Sequence, residues 1–172
     1  MARAKIKSCS IWPAVPPRRH LYVDDDLVTH PLASVIMNRS WEGAPPMYMC
    51  TGWEILALED KYLAKKLNKD GVKLVFDEYE AMPHCFALIL GKAPNGVKCF
   101  ERWSGFIRQA VEDVNGIQPG ARTVRAKTLE DVPLEFEELS DVTEEEIRRR
   151  VLEKAGVVGA GAEEETGTAS KL

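Results

Sequence analysis

Two short apolar segments, separated by a segment long enough for a helix, constrain the fold most. Residues 47–51 (Met-Tyr-Met-Cys-Thr) suit a buried strand that ends at Gly52, and residues 72–79 are rich in Val, Leu, Phe and Tyr. Between them, from Glu54 to a stop at Gly71, apolar side chains recur every three or four positions, which is typical of an amphipathic helix. Strands joined by such a helix run parallel, so the sequence predicts an α/β fold.

A second amphipathic helix is predicted over residues 96–113. The side chains expected to face inward are Val97, Phe100, Trp103, Phe106, Ile107 and Ala110. Farther along the chain, residues 143–146 have the T-x-x-E pattern that opens a helix. The sequence therefore predicts a short third helix at the periphery.

These elements suggest three regions. Residues 1–113 would form a partial α/β domain, in which the basic, proline-rich segment 1–20 is irregular. Residues 114–158 would form a linker and the short peripheral helix. Residues 159–172, rich in Gly, Ala and Glu, would form a flexible tail.

An acid and a histidine follow the two predicted strands. Glu54 comes just after the first strand, and His84 comes just after the second. Because functional groups gather at the carboxyl ends of parallel strands, we expect these two side chains to lie close together. An acid followed by a histidine is also the second part of the order Ser…Asp/Glu…His of a hydrolytic triad. In such a triad the acid orients the histidine, which acts as general base.

Other interpretations of these residues stay open. His84 could be a structural loop histidine, and Glu54 could be a first-turn helix acid that is favoured by the helix dipole. Glu59 and Asp60 lie deeper in the helix and fit the orienting role less well. Of the other two histidines, His20 lies in the proline-rich segment, and His30 precedes Pro31, which favours a structural role.

The nucleophile of a triad is missing from this sequence. No serine of the chain stands in a Gly-x-Ser-x-Gly motif, which places the nucleophilic serine on a tight strand-to-helix turn. The glycine-rich stretch at residues 116–120 contains no serine. The sequence therefore predicts the base and the orienting acid of a hydrolase without its nucleophile.

Several ordered motifs resemble one known family over residues 9–110. They are H-P-L-A-S at 30–34, W-E-G-A-P-P at 41–46, T-G-W-E-I-L at 51–56, E-D at 59–60, D-G-V at 70–72 and E-Y-E-A-M-P-H-C-F at 78–86. Together they are similar to the C-terminal part of the α/β hydrolase fold-3 family, the hormone-sensitive-lipase-like esterases, and in particular to its fungal members.

This resemblance implies roles for the two residues at the strand ends. It places the triad acid at Glu54 and the base at His84, in a serine hydrolase that cleaves carboxylic esters. The chain departs from the family because it lacks both the G-D-S-A-G elbow and the H-G-G-G oxyanion motif. We therefore expect it to be inactive on its own, as a truncated or split enzyme. The alternative is a non-catalytic remnant that binds a partner or an acyl ligand.

Composition limits the ligands and partners further. Residues 1–128 carry 18 Lys and Arg against 14 Asp and Glu, whereas residues 129–172 carry 5 against 13. A nearly neutral body with an acidic tail predicts no nucleic-acid binding. The four cysteines show no metal-ligand spacing, so we expect no metal and no cofactor, and reduced thiols. No apolar run is long enough for a membrane span. A partial parallel sheet would leave an open edge through which copies could associate.

The chain ends in Ser170-Lys171-Leu172. A C-terminal S-K-L is the address that the peroxisomal import receptor reads, and the small, polar residues before it would keep it accessible. The sequence therefore predicts a peroxisomal location with the import receptor as a partner. Together with the esterase motifs, the tripeptide resembles the peroxisomal esterase-like proteins of fungal host-selective toxin clusters. That resemblance implies an ester or acyl small molecule as substrate, if the site is complete.

Overall fold

The computed structural model describes residues 23–24 and 27–155. Three features named above lie outside the described residues: the basic segment 1–20, the tail 159–172 and the terminal tripeptide 170–172. The chain divides into two compact units. One unit is Ser40–Asp141, and the other is Met1–Arg39 together with Val142–Leu172.

The unit Ser40–Asp141 is built around a four-stranded sheet. Its elements in chain order are β1 (Met47–Gly52), α1 (Ala57–Lys69), β2 (Leu74–Tyr79), α2 (Phe86–Ile89), α3 (Pro94–Glu112), β3 (Gly120–Val124) and β4 (Asp131–Leu134). The strand order is β1-β2-β3-β4, with β1, β2 and β3 parallel and β4 antiparallel to β3. The predicted α/β class is confirmed. Among the described residues β1 pairs only with β2, so its outer edge has no partner strand.

The central strand β2 is buried on both faces of the sheet. Leu74 and Phe76 are fully buried and pack in one cluster with Leu67 of α1. Tyr79 points to the opposite face and packs in a second cluster with Cys99 of α3. Strands covered on both sides are rich in apolar residues, which explains why β2 could be predicted from composition although it also buries Asp77 and Glu78.

The ends of α1 follow from its sequence. Glu59 and Asp60 lie in the first turn and two lysines in the last, which suits the helix dipole at both ends. Gly71 follows the helix with φ of +77°, a conformation that glycine adopts without strain. The predicted stop at Gly71 is thus confirmed. The helix begins at Ala57, three residues later than the predicted start at Glu54.

The predicted inward face of α3 is wrong for four of its six residues. Those that are exposed are Val97, Phe100, Trp103 and Ile107. The helix instead buries Cys99 against the sheet and brings Arg102 to within 3.3 Å of the Asp77 carboxylate. Helical periodicity shows that an apolar stripe exists, but it does not show which surface the helix turns toward its neighbours.

Two strands lie where the sequence predicts a linker. Within residues 114–158, β3 pairs in parallel with β2, and β4 adds an antiparallel edge. The two strands are only five and four residues long, and Pro133 interrupts the β4 pattern. Segments this short carry too little alternation to be told from irregular chain.

The second unit is described over residues 23–24, 27–39 and 142–155. It contains α4 (Glu144–Ala155), which contacts a 3-10 turn at Val35–Met37. The Thr143 hydroxyl accepts a hydrogen bond from the Glu146 backbone N–H at 3.2 Å, so the predicted capped helix is confirmed. Within the described ranges, no helix combines the length and the apolar character that a membrane span requires.

Candidate active site

Glu54 lies in a turn that joins β1 to α1. Two residues before it, β1 ends at Gly52, and the Glu54 carbonyl accepts a hydrogen bond from Ala57 N–H at 3.2 Å. Its carboxylate accepts another from the Leu56 backbone N–H at 3.2 Å, through Oε2. Glu54 is therefore placed before the helix rather than inside its first turn. One carboxylate oxygen accepts a hydrogen bond from a backbone N–H at the start of the helix, and the other, Oε1, stays available for a second partner.

His84 lies on the loop of residues 80–85 that follows β2, which we call the histidine loop. The loop contains two non-glycine residues with left-handed backbones, Ala81 with φ of 58° and Cys85 with φ of 55°. Such conformations cost about 1 kcal/mol or more each and persist only where the surrounding structure imposes them. Here the surroundings include β3, because Glu80 N–H donates to the Val124 carbonyl at 3.0 Å. The Glu80 carboxylate also accepts from the Ala126 N–H at 2.9 Å. The histidine loop is therefore fixed at its base.

Gly52 allows the two loops to touch. A Cβ atom at this position would lie 2.0 Å from the Met82 carbonyl oxygen and 2.7 Å from its carbonyl carbon. No side chain fits at such distances, so only glycine lets the backbone of the histidine loop cross the end of β1. The T-G-W-E motif thus places a glycine where the approach of the two loops requires one.

The structure brings the two predicted residues together. His84 Nδ1 lies 2.9 Å from Glu54 Oε1, a normal hydrogen-bond distance. With Nδ1–H donated to the carboxylate, the neutral imidazole keeps its free base at Nε2. The Glu54 side chain is 9% exposed, whereas that of His84 is 61% exposed, and no described residue bonds to Nε2. The pair therefore presents an oriented, accessible base.

The electrostatics of the pair follow from this contact. The hydrogen bond that His84 donates to Glu54, together with the negative charge of Glu54, raises the pKa of His84 above its ordinary value. The same hydrogen bond from His84 lowers the pKa of Glu54. Each shift favours the charged form of its group, so the carboxylate stabilises an imidazolium that forms when Nε2 takes up a proton.

A cleft of about 460 Å³, with both apolar and charged side chains in its wall, opens at the same carboxyl edge of the sheet. Trp53, next to Glu54, lines it together with Ala81 of the histidine loop and residues 125–128 and 130, which follow β3. Sequence patterns do not indicate this cleft, because its far wall is the connection between β3 and β4, in the region that the sequence predicts as linker. A cleft of this size can take a small organic group.

The remaining candidates lie elsewhere. His30 belongs to the other unit, where its Nδ1 accepts a hydrogen bond from the Leu32 backbone N–H at 3.3 Å. His20 lies outside the described residues. The carboxylate against His84 is that of Glu54, rather than Glu59 or Asp60. In the described part of the chain, no group of three His, Cys, Asp or Glu side chains is placed to hold a metal ion.

Comparison with known proteins gives one match. Residues 12–88 match the family model described as alpha/beta hydrolase fold. The searches of curated proteins and of solved structures returned no match. The matched segment contains β1, α1 and β2 and ends just beyond His84. The part of the chain that carries both Glu54 and His84 is therefore similar to the alpha/beta hydrolase fold family, and its parallel sheet has the α/β class of that family.

Proposed function

We propose that this chain supplies the base and the orienting acid of a carboxylic-ester hydrolase. The observation that carries the proposal is the 2.9 Å contact between His84 Nδ1 and Glu54 Oε1, with Nε2 facing solvent. The sequence holds no Gly-x-Ser-x-Gly, so the nucleophile has to come from another polypeptide segment. The 172-residue chain alone is then incompetent for ester hydrolysis.

The reaction would be acyl transfer through a serine. The serine hydroxyl would donate to His84 Nε2, which takes its proton as the oxygen attacks the ester carbonyl. Glu54 would hold the ring and stabilise the imidazolium. The same proton would then pass from Nε2 to the departing alcohol, and a water molecule would repeat the cycle to release the acid. We place one of the two halves of the ester in the cleft beside Trp53.

A chimeric enzyme tests this proposal. The N-terminal half of a complete fold-3 esterase, which carries the serine elbow, is joined in frame ahead of residues 12–155. We expect hydrolysis of p-nitrophenyl butyrate, whereas the 172-residue chain alone gives no turnover. His84→Ala should lower kcat/KM of the chimera by about 10⁴-fold or more. His30→Ala is the matched control and should change little.

The pH dependence of the chimera tests Glu54 separately. Because the neutral imidazole is the base, the rate should fall as the pH drops through the pKa of His84, which Glu54 raises. Glu54→Gln should lower kcat/KM and move this acidic limb to lower pH. An active chimera that is indifferent to His84→Ala would contradict the proposal, as would turnover by the 172-residue chain that vanishes with His84→Ala.

A second candidate function is a non-catalytic binding module. The exposed apolar side chains of α3, such as Trp103 at 45% and Val111 at 82%, favour it, because such surfaces mark association sites. The genomic sequence upstream of Met1 distinguishes the two functions. An in-frame Gly-Asp-Ser-Ala-Gly upstream of Met1 in the genomic sequence supports the hydrolase, and its absence supports a remnant. A partner would then meet the apolar helix or the open edge of β1.

We further propose that the protein acts in the peroxisome, in the biosynthesis of a fungal secondary metabolite. Support comes from the terminal Ser170-Lys171-Leu172 and from the resemblance to esterase-like proteins of toxin clusters. A fluorescent protein that carries only residues 159–172 should accumulate in peroxisomes. The same fusion without Leu172 should stay diffuse. A diffuse signal from the intact tail would contradict the proposed address.

A further inference from the structure

Two cysteines lie side by side between β1 and α3. Cys50 of β1 and Cys99 of α3 have their sulfur atoms 3.8 Å apart. Cys99 is fully buried, whereas Cys50 is exposed to solvent. A disulfide has a bond length of about 2.05 Å, so the two sulfurs need to approach by about 1.8 Å. The pair is therefore close to bonding distance, and one member can be reached from outside.

The surroundings of the pair favour ionisation of one thiol. The hydrogen bond between the sulfurs lowers the pKa of Cys99, and the hydroxyls of Tyr79 and Tyr48 act in the same direction. The same bond, followed by burial, raises the pKa of Cys50. The first proton lost thus leaves the negative charge on Cys99. A thiolate is the reactive form in disulfide formation, and here it lies directly behind the exposed sulfur.

We propose that Cys50 and Cys99 are a modification site at which a hydroperoxide forms a disulfide between β1 and α3. In the first step the Cys99 thiolate takes the Cys50 proton as the Cys50 sulfur bonds to one peroxide oxygen; the O–O bond breaks, and the other oxygen leaves as hydroxide, which a solvent proton converts to water. In the second step the Cys99 sulfur bonds to Cys50, the S–O bond breaks, and the hydroxyl group leaves as a second water with the Cys99 proton. Both sulfurs are oxidised and both peroxide oxygens are reduced.

The position of the pair in the chain gives the cross-link a consequence. The segment between Cys50 and Cys99 contains Glu54, His84 and the whole of β2. Oxidation closes this segment into a covalent ring, which restricts the unfolded chain and so stabilises the fold that holds the acid and the base. A thiol reductant reverses the bond, which suits a chain with reduced cysteines. The proposal does not depend on the ester chemistry.

Mass spectrometry of the full 172-residue chain tests the site. The reduced protein is treated with a small excess of hydrogen peroxide, alkylated and digested without reductant. We expect the intact mass to fall by about 2 Da, and alkylation to drop from four thiols to two. A cross-linked peptide should join Cys50 to Cys99. The oxidised chain should melt about 5 °C or more above the reduced chain.

Serine variants provide the controls. Cys50→Ser should abolish the loss of 2 Da, whereas Cys85→Ser, which removes another exposed thiol, should leave it unchanged. The result with the unmutated chain decides the question even if a variant folds poorly. Oxygen added to Cys50 without a cross-link would overturn the proposal. A disulfide that joins any other pair, or two chains, would overturn it as well.

Discussion

Replacing Gly52 with alanine is expected to lower the free energy of unfolding by about 3 kcal/mol and to separate His84 from Glu54. The added Cβ would meet the Met82 carbonyl oxygen at 2.0 Å, and this oxygen belongs to the backbone and cannot rotate away. The histidine loop has to move, and His84 is only two residues from Met82. Its hydrogen bond to Glu54 should therefore weaken or break.

Two measurements check this prediction for Gly52. Denaturant unfolding gives the change in stability, and an NMR titration follows the pKa of His84. Once the contact with Glu54 is lost, the pKa of His84 should fall back toward its ordinary value, since that contact raises it. Gly105→Ala is the matched control. Nothing lies within 4 Å of a Cβ at position 105 of α3, so that change should be neutral or stabilise the helix by up to about 1 kcal/mol. An unchanged His84 titration in Gly52→Ala would contradict the proposed close approach.

Replacing Asp77 with alanine is the second change with a large expected effect. Asp77 is fully buried in β2, and its carboxylate accepts a hydrogen bond from the Tyr48 hydroxyl at 2.8 Å. It also lies 2.8 Å from Arg122 Nε and 3.3 Å from a terminal nitrogen of Arg102. Removing it leaves two guanidinium groups next to each other with Asp131, which contacts both, as their remaining anion.

The expected loss of stability for Asp77→Ala is about 3 kcal/mol, at the lower end for breaking a buried ion pair. The reason is that the arginine side chains keep 20% and 32% exposure and recover part of their hydration. Thermal or denaturant unfolding measures the loss. Glu101→Ala removes an exposed carboxylate from the same helix as Arg102 and should change stability by less than about 0.5 kcal/mol. Equal effects of the two substitutions would show that the buried network adds nothing.

The sequence allowed β1, α1 and β2 to be predicted because their signals are local. The apolar strands, the helical period and the glycine stop each span a few residues. Since parallel strands end at one edge, placing Glu54 and His84 after two such strands was enough to predict that they lie together. The resemblance to a hydrolase family pointed to the same two residues.

Features that depend on distant residues could not be predicted. Nothing in the sequence shows that Asp77, in the middle of β2, meets Arg102 and Arg122. The exposed side of α3 depends on which of its faces packs against the sheet. Cys99 and Arg102 determine that face, rather than the apolar stripe. β3 could not be predicted because five residues are too few for a recognisable pattern. The hydrogen bonds that hold Glu80 at the end of β3 could not be predicted for the same reason.

That support has a consequence for the order of events during synthesis. The histidine loop is held by Glu80 against Val124, at the end of β3, and Ala126, just beyond it, which the ribosome makes about 40 residues after His84. β2 also lacks one of its two neighbouring strands until β3 has been synthesised. Contacts between distant parts of a chain form late. We therefore expect Glu54 and His84 to come into contact only after β3 has paired with β2. Formation of the site is then one of the last steps of folding.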